Sequence, residues 1–204
     1  MTFAEMYAEF QSRAGDTTAA MLVVIKKAIN QAYADMASAA PHHKELLQYA
    51  NLIVASTNRN VAVPTGCNKV YQLQKPGGGE VPLVPWAVFN ALVTDVTATG
   101  DALKAAAEQA GQIYLYPTAD ATSAGTYKLG YFKLPDALSA DADVSIFGGE
   151  WDAVLMLGAE THLRTSTHQE LMPSVIEEWE HGKDRLASEQ IAIPNERRPE
   201  VEAG

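Results

Sequence analysis

Very little in this chain of 204 residues invites chemistry, and the absences narrow its function before any motif is read. A single cysteine, Cys67, excludes an intrachain disulfide framework and suits a reducing cytoplasm. The longest apolar run, residues 19–25, is seven residues, far short of the ~20 that a membrane span needs. The opening MTFAEMYAEF has no basic stretch followed by an apolar one, so no secretory leader is expected. The glycine triplet Gly77-Gly78-Gly79 lacks a Gly-Lys-Ser/Thr ending and reads as a turn, not a phosphate cradle. No dinucleotide fingerprint and no Gly-x-Ser-x-Gly elbow occurs.

An excess of basic charge is also missing. The net charge is −10, and its distribution is uneven. Residues 1–60 carry five bases and five acids, and residues 61–134 again five and five. Residues 135–204 carry fifteen acids against five bases and hold the whole excess. Such a segment repels nucleic acid, so direct reading of a DNA sequence is not expected. It is either a solvated helix face, or a surface that meets a basic partner or lines a channel through which DNA passes without sticking.

What is present is helical at both ends. Phe3, Met6, Tyr7 and Phe10 share one helical face, Gly15 breaks that helix, and Asp16 or Thr17 can cap the next. Leu22, Ile25, Ile29, Ala32, Tyr33 and Met36 continue a stripe that Pro41 terminates. Near the other end a helix opens at Gly149-Glu150-Trp151, with Val154, Leu155, Leu157, Gly158, Thr161 and Leu163 on its buried side. Thr167 and Glu170 have the spacing of a capping box for a last helix, buried through Leu171, Val175, Ile176, Trp179 and Leu186. Pro173 kinks that helix or marks its true start. Residues 193–204, proline-broken and polar, read as an extended tail.

The middle is β-rich. Strands are predicted at 46–54, 61–63, 69–74 and 81–83, with a short helix over 85–94 that turns Trp86 and Phe89 inward. The stretch DALKAAAEQAG favours helix by propensity. Its place before the strand Gln112–Tyr116 favours a strand, and that reading is taken. Two tyrosine-bearing strands, 112–116 and 126–133, are expected to form a hairpin about an Asp/Thr/Ser/Gly turn. The class is therefore α+β. Residues 1–43 and 148–192 are predicted to form a four-helix bundle, with an inserted antiparallel β-rich domain at 44–147.

Candidate catalytic and metal residues are poor. His42 and His43 are adjacent, point apart, and suit the end of a helix. Glu160, His162 and His168 lack the i,i+3 or i,i+4 relation of a helical metal pair, and His181 sits among Glu177, Glu178 and Glu180 as a surface residue. Asp141/Asp143 and Glu177/Glu178 would serve acid–base chemistry only in a desolvated cleft, the requirement of a small-hydrolase alternative. No cofactor, metal ligand or catalytic residue is assigned. Tyr114, Tyr116, Tyr127, Tyr131 and Phe132 lack the basic groove of a single-strand stacking platform, so they read as packing and interface residues.

The order of these pieces resembles one family. MTFAEMYAEF, INQAYADMAS (Ile29–Ser38), QIYLYPTADATSAGTYKLGYFKLPDALSADAD and GEWDAVLMLGAETHLRTS (Gly149–Ser166), with a final charged helix, resemble the neck adaptors of tailed bacteriophages. The resemblance implies a structural head-to-tail connector, or a tail-completion protein of the same fold one ring lower. Such a protein forms a ring, commonly of twelve, that docks on the portal, joins a tail or nozzle protein and continues the DNA channel. Under it, Tyr114, Tyr116, Tyr127, Tyr131, Trp151, Trp179, Arg197 and Arg198 are candidate interface residues in a virion neck assembled in the host cytoplasm.

Overall fold

Each N-terminal helix forms where the sequence supplies both of its ends. In a computed structural model, which describes residues 1–100 and 103–192, helix α1 (Phe3–Ala14) starts at Thr2. The Thr2 hydroxyl accepts from the Glu5 N–H at 3.3 Å, and the Glu5 carboxylate accepts from the Thr2 N–H at 2.8 Å. This reciprocal box satisfies two orphan donors, and Gly15 at φ +64° closes the helix in the left-handed region. Helix α2 (Ala19–Ala39) is capped by Thr18, not by Asp16 or Thr17. Asp16 instead accepts from the Thr18 N–H at 2.8 Å and steadies the cap.

The chain continues through β1 (Leu47–Val54), β2 (Asn60–Ala62), β3 (Cys67–Gln74), β4 (Glu80–Val81), helix α3 (Trp86–Leu92), β5 (Thr99–Gly100), β6 (Ala105–Gln109), β7 (Gln112–Tyr116), β8 (Thr118–Ala119) and β9 (Gly125–Lys133). Helices α4 (Asp152–Ser166) and α5 (Pro173–Ser188) follow. The fold is mixed α+β. Two compact units are present, residues 1–46 with 134–191, and residues 47–133.

In the helical unit, α2 packs on α1, α4 and α5, and α4 packs on α5. Two glycines set how closely α4 and α5 approach. A Cβ at Gly158 would lie 2.7 Å from the Trp179 ring and 2.9 Å from Ala32, and one at Gly182 would lie 2.6 Å from Val154. Residues 134–147 form an extended strap along α1 and α2. Its carbonyls at Asp143 and Asp141 accept from the N–H groups of Phe3 (2.7 Å) and Ala4 (3.0 Å). Asn30 clasps the Leu138 backbone in both directions, at 2.7 and 3.0 Å, and the Tyr33 hydroxyl accepts from the Ile146 N–H at 2.9 Å. Without these contacts the helices' first-turn donors and the strap's own backbone would lose partners.

The expected capping box at Thr167 and Glu170 does not form. Thr167 ends α4, its hydroxyl donating back to the Leu163 carbonyl at 2.9 Å. Helix α5 starts at Pro173, whose fixed φ and missing N–H suit a first helical position. The kink is therefore absent; Pro173 is a start.

In the β-rich unit, one sheet runs β1-β9-β3-β4 and a second runs β2-β7-β6. Leu52, Val54, Leu73, Ile113, Leu115, Tyr127 and Leu129 from both sheets share one core. Strands β5 and β8 form a short parallel pair. Helix α3 covers the outer side of the second sheet, burying Phe89 against Ala105 and Ala107. The alanine-rich stretch is thus a strand where described, at 105–109, and its small side chains leave room for an aromatic layer; residues 101 and 102 lie outside the described residues.

The expected tyrosine hairpin is corrected. Strand β7 pairs with β2 and β6, whereas β9 pairs with β1 and β3, so the two tyrosine strands belong to different sheets. Pro117, which has no N–H for a ladder, ends β7, and the turn at Asp120–Ser123 sends the chain into the other sheet. The hairpin that does form joins β6 to β7 through Ala110 and Gly111, both at positive φ (51° and 73°) as a tight two-residue turn requires.

That Asp120 turn is tightly held. One Asp120 carboxylate oxygen accepts from the Ser123 and Thr122 N–H groups, at 2.8 and 2.9 Å. The Ser123 hydroxyl donates to the Gly100 carbonyl at 2.8 Å, and the Tyr127 hydroxyl to the Ser123 carbonyl at 2.7 Å. The Ser123 N–H bond, foremost among these, holds the Asp120 carboxyl below its usual range. A depressed carboxyl pKa adds stability that is present above the unfolded value and lost as pH falls through the folded one. Asp120→Ala should therefore melt earlier than the parent at pH 7, and the gap should close as pH falls below about 4. Melting followed across pH checks this; a gap that is constant down to pH 2 would contradict it.

Candidate interaction surfaces

The residues expected at interfaces fall into three groups. Trp151, Trp179, Tyr127 and Tyr131 are interior, none more than 8% exposed. Trp151 stands edge-on to His43 at 6.4 Å, with the Arg185 guanidinium 4.5 Å from its ring. Its indole N–H finds no acceptor among the described residues. Trp179 fills the notch left by Gly158. Tyr114 and Tyr116 are half-buried. Tyr114 packs 4.9 Å from Trp86, which stacks on Phe89, while the Tyr116 hydroxyl lies 3.5 Å from that of Thr94. Arg197 and Arg198, with the rest of the tail at 193–204, lie outside the described residues.

The acid–base candidates are engaged in structure. Asp143 accepts from the Ser139 and Ala140 N–H groups at 2.7 and 2.8 Å, and these bonds lower its pKa, the Ser139 bond foremost. Asp141 accepts from the Tyr7 hydroxyl at 2.9 Å and lies 3.6 Å from Lys26. Glu177 and Glu178 are exposed on α5. None of these pairs is the desolvated couple that hydrolysis needs.

The histidines also have structural settings. His43 does not cap α2 with its ring; it is fully buried, edge-on to Phe147 at 5.4 Å, and its Nδ1 accepts from the Glu45 N–H at 3.3 Å. His162 Nε2 pairs with Asp35 at 2.9 Å. Among the described residues no group of three His, Cys, Asp or Glu side chains is placed to hold a metal ion. No described helix is long and apolar enough to cross a membrane.

Strand β3 carries the one thiol. Burial first, and then the charge of Glu108, push the Cys67 pKa up to about 11. Raised two units above its ordinary 9.0, the thiol should carry about a hundredfold less thiolate at pH 8 than an unperturbed cysteine. Iodoacetamide labelling should be slower by that factor until urea unfolds the unit; equal rates in both states would refute the half-buried, desolvated setting. Beside it, a groove of about 520 Å³ is bounded by Lys69, Val70, Val84, Trp86 and Glu108. The Glu108 carboxylate crosses it to accept from the Val70 N–H at 3.0 Å, so part of this polar lining is already matched.

Among the described residues, the acid pairs and histidines considered above are each engaged in structural contacts or exposed. Against that background, residues 1–172 match the model of the SU10 adaptor protein family, which is a family of phage head-to-tail adaptors. The chain belongs to that family. No curated protein matches the adaptor. The family match spans the described part of the β-rich unit and the helical unit through α4, ending one residue before α5. Trp179, Arg197 and Arg198 lie beyond the matched stretch. Membership carries a coarse role with it, that of a structural phage adaptor at the head-to-tail junction.

Proposed function

We propose that this adaptor works as one subunit of a ring, commonly of twelve, that docks beneath the portal, receives a tail or nozzle protein and continues the DNA channel. The family match over residues 1–172 carries the reading. Helices α1, α2, α4 and α5 act in it as one bundle, which meets the portal and neighbouring subunits. The β-rich unit meets the tail-side partner, and Tyr114 and Tyr116, half-buried on β7, are its candidate contacts. The acidic excess of residues 135–204 suits a channel component, because like charge lets DNA pass without adhering. The tail at 193–204, with Arg197 and Arg198, engages the portal or a neighbour on assembly. No cofactor or metal enters this scheme.

Sedimentation of the purified chain with and without its cognate portal tests the proposal. The expected result is a large complex containing both proteins. A chain that stays monomeric and ignores portal and tail proteins would end the reading. Deleting residues 194–204 should leave the melting temperature unchanged and weaken portal docking by about tenfold, roughly 1.4 kcal/mol. Unchanged affinity would remove the tail from the interface.

A further inference from the structure

We propose that the groove beside Trp86 on the β-rich unit binds the tail of a neighbouring copy, taking residues 194–199 as an extended, proline-bearing segment; the inference rests on the tail's part in the ring reading and names the surface it engages. At about 520 Å³ the groove lies in the size range of pockets that hold small ligands, and a few residues of extended chain fill it. One wall is Trp86 with Pro85 beside it. Phe89 stacks on that indole at 5.6 Å and Tyr114 packs 4.9 Å from it, so the wall is fixed before anything binds. Lys69 and Val70 of β3 and Glu108 of β6 supply the rest of the lining used here.

The groove also has hydrogen-bonding capacity to spare. Ala106 turns its N–H to the Pro82 carbonyl at 2.8 Å and its carbonyl to the Val84 N–H at 2.9 Å. Two residues on, strand alternation turns the N–H and C=O of Glu108 to the same edge. There the covering chain has already left at Pro85 to enter α3. One Glu108 carboxylate oxygen accepts from the Val70 N–H at 3.0 Å, and the other bonds nothing among the described residues. The Lys69 ammonium likewise has no ion-pair partner among them. One anion, one cation and a strand edge thus stand beside a rigid aromatic wall.

The tail carries the complement of each. Its sequence at 194–200 is Pro-Asn-Glu-Arg-Arg-Pro-Glu. Prolines hold a chain extended at little entropic cost and pack on aromatic walls, the basis of proline-rich peptide recognition. Arg197 or Arg198 meets the free Glu108 oxygen, and Glu196 or Glu200 meets Lys69. The exposed acids Glu177 and Glu178 would attract the arginines too, but a convex helix face gives the prolines no recess and repels Glu196 and Glu200. Residues 193–204 span up to about 40 Å when extended, enough to leave one subunit and lie on the next. A contact of this size is weak alone and suffices within a ring, where the bundle contacts keep each tail at high effective concentration.

The test uses the full chain with its own tail disarmed by Arg197→Ala and Arg198→Ala, titrated with a fluorescent peptide of residues 193–204. Saturable binding is expected below about 1 mM. Adding Glu108→Gln, which still offers the Val70 N–H an acceptor, should weaken it at least about tenfold, whereas Glu177→Gln with Glu178→Gln should leave it unchanged. In the parent chain, exchange of the Glu108 amide should be slower in the complex with portal than in dilute monomer. No peptide binding, equal binding to the Glu108→Gln variant, or weakening only by the α5 changes overturns the groove assignment, and the ring stands if the parent still assembles with portal. Glu108 exchange already slow in dilute monomer puts the tail on its own chain and overturns docking between copies. A parent that stays monomeric with portal overturns the ring reading itself.

Discussion

Gly158→Val should destabilise the helical unit by about 3 kcal/mol, because a side chain there meets the Trp179 ring at 2.7 Å and Ala32 at 2.9 Å. Mid-helix glycine ordinarily costs about 1 kcal/mol relative to alanine, and its presence in α4 is explained by the close approach of α5 and α2. Trp179 is buried and cannot swing to solvent without opening the core. Urea unfolding followed by tryptophan fluorescence reports the effect, since Trp151 and Trp179 both lie in this unit. Shrinking the opposing ring with Trp179→Leu in the same chain should recover part of the loss, the signature of two residues competing for one space. An unchanged midpoint for Gly158→Val would mean that α4 and α5 do not meet through this notch.

Phe147→Ala should cost more, about 3–5 kcal/mol, because the ring is buried and removing it leaves a cavity. Phe147 anchors the strap where it ends, standing edge-on to Tyr33 at 5.9 Å and to His43 at 5.4 Å. Loss of the ring should also speed exchange of the Ile146 amide, which the Tyr33 hydroxyl holds at 2.9 Å. Val144→Ala, at an exposed position three residues earlier, should change the midpoint by less than about 0.5 kcal/mol. A loss below about 1 kcal/mol for Phe147→Ala would show that the strap is fixed by its backbone bonds alone.

The terminal helices were legible because their signals are local. A 3.6-residue stripe, Gly15 and Pro41 are each read within one or two turns, and α1 and α2 end where those residues require. Thr167 and Glu170 misled for the same reason: the spacing of a capping box is short and common. The box that forms, Thr2 with Glu5, was not singled out, although it has the same spacing. Sheet membership was the larger error. Two alternating strands a turn apart suggest a hairpin, but the partner of each strand is fixed by long-range burial. Ile113 and Leu115 of β7 and Tyr127 and Leu129 of β9 enter the same core from opposite sheets. The alanines at 105 and 107 favour helix by propensity, and only the aromatic layer of Phe89, Trp86 and Tyr114 over them explains a strand.

Interface candidates divided along the same line. Aromatic type alone cannot separate a core anchor from a contact residue. Trp151, Trp179, Tyr127 and Tyr131 satisfy the chain's own packing, whereas Tyr114 and Tyr116 keep one side toward solvent.

The account's central claim is that this chain joins a phage head to its tail, and electron microscopy of particles made without it tests that claim most directly. The account predicts DNA-packaged heads that carry portals but no tails, with tails restored when the chain is supplied in trans. Normally tailed, infectious particles in the absence of the chain would contradict it.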